Sequence, residues 1–342
     1  MGYTCRPMAT LSHTGAPVRV VWTRRLSAED AADYDRFVDT ATSGSYAQAR
    51  SLVDVMTAGR HFAPRWFLAR AGDDVIGAGL VLRPRAVGPL VLPAAVLERG
   101  PVCRSLADLP VVLSALRRAA LRRGVARLQV MPYFAGADAD RAEDALARAG
   151  YKCVHEPSSA HARTLRIDLA GKDELGLFPS KSLRRDIKQA ERLGARARRG
   201  TAADLSVLAS LYASLMRAQG KAPKTDAYFA ALSPVIAEGK RAALFVCEHE
   251  GTPMSAMLVM RHGTQATWLL GASNMEKRPF SKTGPTMACA IRWAQAEGCT
   301  VFDLGGIPME GDHDDKRRSI AAFKFDFSKT EVRLVREHAR WG

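Results

Sequence analysis

The sequence predicts an α/β protein with mixed sheets, built as two successive copies of one unit. Three observations carry this. A chain of 342 residues exceeds what one ordinary core holds, so roughly 150 to 200 residues fall to each of two domains. Hydrophobic residues at 47% and charged residues at 25% are the composition of a soluble globular chain, and no apolar run approaches the ~20 residues that a membrane span needs. The sequence also repeats with an offset of 174 residues, each half running helix, hairpin, helix, strand.

Residues 1–17 read as a flexible tail without the apolar core of a signal peptide, and Arg6 stands where a myristoylation signal after Gly2 takes Ser or Thr. The first unit, 18–160, begins its first helix at Ser27-Ala28-Glu29-Asp30, a hydroxyl N-cap with an acid three positions on; Thr201-Ala202-Ala203-Asp204 is its counterpart in the second unit, 161–330. Residues 66–70 turn through 72–74 into 75–82, as 243–247 turn through 248–253 into 254–260, and both read as hairpins. A helix over 111–122 ends at Gly124 and feeds a strand over 125–130. Its counterpart is a helix over 287–297, Gly298 and a strand over 300–304, with each glycine where a helix C-cap takes a left-handed residue. The first unit closes with a helix ending at 146–150 and a strand at 151–154, the second with a helix over 317–323. A C-terminal segment, 331–342, carries a strand over 331–337 and is expected to pack back on the first unit.

This order gives mixed sheets with helices on their faces, and places a site in a central crevice or at the seam between the copies. The run Thr300-Val301-Phe302-Asp303-Leu304-Gly305-Gly306-Ile307 reads as a buried strand that breaks at a glycine pair and ends in such a cleft. Phe323-Lys324 begins 16 residues after Ile307.

A net charge of +15 favours polyanionic partners. A helix over 181–193 sets Lys181, Arg184, Arg185, Lys188 and Arg192 on one stripe and Leu183, Ile187 and Ala190 on the other; Arg196, Arg198 and Arg199 extend the run to a net +6. That stripe reads either as a surface that neutralises the phosphates of an RNA acceptor stem or as the solvated side of an amphipathic helix. The six cysteines show no Cys-x-x-Cys spacing and the eight histidines are scattered, so the sequence gives no metal site and no disulfide framework, in keeping with a reducing cytoplasm.

The element order resembles the GNAT acyltransferase fold. Neither copy has the Arg/Gln-x-x-Gly-x-Gly/Ala loop whose backbone N–H groups hold the pyrophosphate of acetyl-CoA there; Lys282-Thr283-Gly284-Pro285 stands in the corresponding place, and Pro285 removes a donor. A tandem pair lacking that loop resembles the FemABX family of aminoacyl-tRNA-dependent peptidyltransferases. Arg99-Gly100-Pro101-Val102, residues 164–169, 182–194, Gly271-Ala272-Ser273, 302–307 and Phe323-Lys324 carry the resemblance, which runs over about residues 45–330. The chain resembles the compact members, without a coiled-coil arm.

The resemblance implies transfer of an amino acid from aminoacyl-tRNA to an amine, with a lipid-linked or UDP-linked peptidoglycan precursor as acceptor. It implies work in the cytoplasm, if at a membrane then peripherally, and no cofactor or metal. Phe323 and Lys324 occupy the family's catalytic positions, where an ammonium stabilises the tetrahedral oxyanion of aminolysis; apart from the family, Lys324 reads as a solvated lysine at a helix end. Arg217, Lys221, Lys224 and Tyr228 match a region that contacts the diphosphate and sugar of the acceptor. The sequence departs from the pattern at Val55-Met56, where a basic residue is expected and Arg60 is the nearest one, and at Cys103, where an acid often follows. Trp268 either lines the acceptor channel or is a core aromatic. Asp303 either orients the incoming amine or supports the Gly305-Gly306 turn. A CoA-dependent N-acyltransferase of the GNAT type is the alternative activity.

Overall fold

Two mixed sheets with the same strand order stand next to each other across an apolar seam. The computed structural model describes residues 17–85, 93–154, 162–308 and 315–342, so the expected N-terminal tail lies outside the described residues apart from Pro17. The first unit starts with β1 (Val18–Thr23) and α1 (Ala28–Thr40), capped by Ser27, whose side chain accepts the Asp30 amide at 3.1 Å. A short α2 (Val53–Thr57) leads into the hairpin β2 (Phe62–Ala71) and β3 (Asp74–Pro84). There follow β4 (Ala94–Leu97), β5 (Val102–Cys103), α3 (Leu109–Leu121), β6 (Arg127–Val130), α4 (Ala137–Arg148) and β7 (Lys152–Cys153).

The second unit opens with β8 (Arg163–Asp168), α5 (Glu174–Leu177), the basic helix α6 (Lys181–Arg192) and β9 (Arg196–Arg199). Thr201 and Asp204 form a reciprocal capping box before α7 (Leu205–Ala218), the counterpart of the cap at Ser27. Then come α8 (Asp226–Glu238), β10 (Ala242–His249), β11 (Thr252–His262), β12 (Gln265–Ser273), α9 (Gly284–Ala296), β13 (Val301–Gly306) and α10 (Asp315–Phe327). The strand expected over 331–337 is shortened to β14 (Glu331–Arg333); a further strand, β15 (His338–Trp341), follows it, and the two join different sheets.

The first sheet has the order β1-β2-β3-β4-β6-β15-β7, with β5 on β3, and the second the order β9-β10-β11-β12-β13-β8-β14. Aligned, the two orders differ in what fills one position. The sixth position of the first sheet is filled by the C-terminal β15, and the sixth position of the second by β8, which follows the first unit in sequence. The first unit is therefore completed by a strand from beyond the second unit, whereas in the second sheet the same position is taken by the strand that opens that unit.

Strand alternation decides which helix each face receives. Trp66 and Leu68 of β2 pack with Tyr34 and Val38 of α1, whereas Phe67 and Ala69 pack with Val112 and Leu116 of α3. At the seam, Ala49, Leu52 and Val55 of the first unit share one apolar cluster with Leu205, Leu208, Tyr228 and Phe229 of the second. Arg241 and Asp39 close its rim at 2.6 Å. Burial of this kind holds the two units in one arrangement and fixes the space between them.

The returning C-terminal strand yields a stability prediction. β15 pairs with β6 from His338–Val130 to Trp341–Arg127 and with β7 at His338–Cys153 and Ala339–Lys152. Deleting residues 338–342 strips both ladders at about 1 kcal/mol per hydrogen bond. A lower thermal midpoint is expected, with amide exchange in β6 accelerated more than in β12; unchanged exchange in β6 would show the strand to be dispensable.

Candidate active site

β12 and β13 run parallel only from Gln265–Val301 to Thr267–Asp303 and then part. Beyond Asp303, Gly305 takes a φ of +77° and Gly306 pairs with Thr164 of β8. A Cβ on Gly305 would stand 3.1 Å from the Trp268 carbonyl oxygen and 3.5 Å from Lys324 Nζ, so close approach as well as the left-handed backbone requires glycine here. Lys324 reaches into this parting from α10. Its ammonium donates to the Gly306 carbonyl at 2.7 Å and lies 5.0 Å from the centroid of the Trp268 ring.

Lys324 is 6% exposed. Burial lowers its pKa from the ordinary 10.5 to about 8, partly offset by the charge of Asp303. It is not the solvated lysine of the alternative reading, and it lines a cleft of about 780 Å³ between the units. Asp303 is 3% exposed and holds three donors: the Thr164 hydroxyl, Arg166 Nε at 3.2 Å and the Gly305 amide at 2.8 Å. The last bond is the turn-supporting contact, although Asp303 also borders the cleft. Trp268 lines the cleft as well, half-buried, with Phe323 edge-on behind it at 6.3 Å. Phe323 itself does not line the cleft but packs on Trp268 and Phe327, so its contact with any ligand runs through Trp268.

The first unit supplies the opposite wall. Gln48, buried in the core, accepts the Leu80 amide at 2.6 Å and donates to the Glu98 carbonyl at 2.5 Å, fixing the segment after β4. That segment presents Glu98, paired with Arg60 at 2.6 Å, and Arg99, whose guanidinium lies 5.1 Å from the Tyr133 ring centroid. Tyr133 joins the units: its hydroxyl accepts from Arg166 at 3.0 Å and from Gln265 at 2.7 Å. Arg60 and Arg166 each face a carboxylate, while Arg99 pairs with none among the described residues.

Of the residues expected to meet an acceptor, Tyr228, Lys224 and Arg60 line the cleft, with Lys224 Nζ 5.1 Å from the Tyr228 ring centroid. Arg217 and Lys221 do not; both are exposed at the end of α7 and beyond, where a basic loop and a ligand-binding loop look alike in sequence. None of Lys181, Arg184, Arg185, Lys188 and Arg192 lines it either. Leu183, Ile187 and Ala190 bury the other side of that helix as expected, but the Arg184 guanidinium turns to the carbonyls of Phe178 and Pro179 and leaves the stripe. Arg198 is engaged by Asp204 and Glu248, both at 2.8 Å.

Residues that sequence reasoning missed are Tyr133, Arg166, Gln265 and Arg99. Arg99 and Arg166 lie in stretches that carry the family resemblance, and Tyr133 follows the strand that the duplication pairs with the one ending at Gly305-Gly306, but no role was read for them. At the start of α9, the donors that would hold a pyrophosphate are occupied or missing. The Gly284 amide donates to Ser281 Oγ at 3.0 Å, Pro285 has none, and Lys282 Nζ is held by the Asn274 and Glu276 carbonyls at 2.5 and 2.6 Å.

Residues 180–317 match the family model of the acetyltransferase (GNAT) domain. The chain is 26% identical over 163 residues to a UDP-N-acetylmuramoylpentapeptide-lysine N(6)-alanyltransferase of Weissella viridescens, covering 47% of this chain and 46% of that protein. To a lipid II:glycine glycyltransferase of Staphylococcus aureus it is 33% identical over 78 residues, 22% of this chain and 18% of the other. The chain thus spans less than half the length of the curated relatives it matches. In fold it is similar to the crystal structure of FemX, with a TM-score of 0.78 at 16% identity over 95% of this chain and 97% of that one.

Proposed function

We propose that the chain is a member of the FemABX family, on its similarity to the alanyl- and glycyltransferases and to the FemX fold, and that it is an aminoacyltransferase, moving an amino acid from aminoacyl-tRNA to an amine of a peptidoglycan precursor. The observation that carries this reading is the buried ammonium of Lys324 in the parting of β12 and β13, on the wall of the cleft between the units. Aminolysis of an aminoacyl ester forms an N–C bond to the carbonyl carbon and breaks its bond to the ribose oxygen. The attacking amine loses a proton and the leaving oxygen gains one. Between these steps the carbonyl oxygen carries the charge, and a desolvated cation stabilises it far better than water-exposed lysine does.

On this reading Lys324 meets the developing oxyanion, Trp268, backed by Phe323, shapes its wall, and Gly306 holds the ammonium until the ester arrives. Tyr228, Lys224 and Arg60 contact the acceptor, with Arg99 as the further cation of the first unit's wall. Lys181, Arg185, Lys188 and Arg192 remain the tRNA surface of the proposal, outside the cleft. The occupied donors at the start of α9 count against acyl-CoA as the donor substrate.

The test is transfer of labelled amino acid from a pool of charged bacterial tRNAs to a soluble UDP-linked muropeptide, with heat protection by acyl-CoA as the second arm. Salt-sensitive transfer that requires the charged tRNA supports the reading. Stabilisation by acyl-CoA, with no transfer from tRNA, replaces it by the N-acyltransferase alternative.

A further inference from the structure

One patch of the cleft wall carries hydrogen-bond donors that the protein itself does not use, and Tyr133 is at its centre. The phenol oxygen accepts from Arg166 Nη2 at 3.0 Å and from Gln265 Nε2 at 2.7 Å, so its acceptor positions are taken and the O–H proton is what it has left to give. Among the described residues nothing accepts that proton, and Tyr133 lines the cleft. A hydrogen bond received from a cation polarises the O–H, so Arg166 makes Tyr133 a stronger donor. Gln265 gives a further amide hydrogen bond to Thr267 Oγ1 at 3.1 Å, which fixes the group that holds the phenol.

Arg99 lies over the same ring, also on the cleft wall, with its guanidinium 5.1 Å from the centroid and no carboxylate partner among the described residues. Its backbone has a φ of +53°, the left-handed region that side chains other than glycine rarely adopt. Glycine would hold that conformation without strain, so an arginine kept there points to work for its side chain. Tyr46 supplies a third donor. It lines the cleft, burial pushes its pKa up to about 12 against the charge of Arg99, and Tyr133, Glu98 and Asp303 add to the rise. The Tyr46 phenol therefore keeps its proton at neutral pH, and the groups that act on it are those around Tyr133.

The charge count says what such a patch takes. Arg60 is paired with Glu98 at 2.6 Å and Arg166 with Asp303 at 3.2 Å, which leaves Arg99 uncompensated among the described residues of this wall. One guanidinium beside two neutral O–H donors matches a planar monoanion: a carboxylate offers two oxygens to the arginine fork and keeps lone pairs for the phenols. A diphosphate would bring more negative charge than the patch can meet.

We propose that Arg99, Tyr133 and Tyr46 form a subsite for a free carboxylate of the acceptor, so that the cleft selects an acceptor peptide bearing that carboxylate over its carboxamide. The proposal rests on the transferase reading for the acceptor being a muropeptide.

The experiment is calorimetry of the full chain with soluble UDP-linked muropeptides built on a diamino acid with its own side-chain carboxyl. That carboxyl and the C-terminal one are left free or amidated one at a time, and steady-state transfer is followed with the same set. Wild type is compared with Arg99→Gln and Tyr133→Phe. Wild type is expected to bind the free form about tenfold or more tightly than one of the two amides, and the position whose amidation costs affinity names the carboxylate. That preference collapses towards one in both variants, most fully in Arg99→Gln. Damage to the seam alone would weaken free and amidated forms alike and leave their ratio intact, which overturns the proposal, as does wild-type protein that binds all forms equally. Transfer without any such preference removes the subsite and leaves the transferase reading. A carboxylate preference in binding, with no transfer from charged tRNA, leaves the subsite and removes the transferase reading; no binding of any muropeptide removes both.

Discussion

Replacing Lys324 by alanine is expected to lower kcat for transfer by about 10²–10³, the scale of losing one oxyanion donor, with KM for the acceptor nearly unchanged. Lys324→Met makes the same point with less loss of volume. The wild-type rate should fall as pH rises through about 8, because the ammonium, not the amine, does the work and its pKa lies there. Stability moves the other way. Below pH 8 folded and unfolded chains both carry the charge, and the folded state bears the full cost of burying it, roughly 3 kcal/mol for the drop from the ordinary value of 10.5. Between about 8 and 10.5 the unfolded chain still binds the proton and the folded chain does not, so stability rises with pH. Lys324→Met should therefore melt higher than wild type at neutral pH while transferring far less, a pairing that misfolding cannot produce. A rate that climbs through pH 8 instead would make Lys324 a base and remove it as the oxyanion's partner.

Much of the fold was legible because its signals are local. Ser27 with Asp30 and Thr201 with Asp204 announce helix starts through side chains that find their partners within one turn, and Gly124 and Gly298 mark helix ends by a backbone conformation few other residues adopt. The 174-residue offset then aligned the two units. That the C-terminal segment returns to the first unit was expected, but its pairing was not legible: nothing in His338–Trp341 states that its partners are Arg127–Val130, since pairing between distant segments depends on the whole chain's packing.

The site divides in the same way. Lys324, Asp303 and Trp268 could be read because the glycine pair and the lysine lie near one another in sequence and resemble a known pattern. Tyr133, Arg166 and Gln265 belong to three different segments, and their shared hydroxyl contact exists only once the seam has formed. Arg217 and Lys221 show the converse, a charge pattern whose side chains are exposed and do not line the cleft.

Asp303 separates the turn from the chemistry. Asp303→Ala leaves the Gly305 amide and the Thr164 hydroxyl without this acceptor and takes the carboxylate from the Arg166 guanidinium, which keeps its hydrogen bond to the Tyr133 hydroxyl. Breaking a buried ion pair from one side costs about 3–5 kcal/mol, and the lower end applies because the Arg166 side chain keeps 17% exposure. Denaturant unfolding should show that loss. Asp303→Asn keeps an oxygen for the Gly305 amide and removes the charge, so it should be milder in stability. It should still act on Lys324: the carboxylate raises that pKa against the larger opposing effect of burial, and without it the value falls further below 8. The high-pH limb of the rate profile then moves to lower pH, a shift that NMR titration of the Lys324 ε-methylene can report independently. If Asp303 only supports the turn, Asp303→Asn transfers at nearly the wild-type rate well below that limb. If it orients the incoming amine, the rate falls there as well, because an amide cannot accept a hydrogen bond from an amine with the strength of a carboxylate.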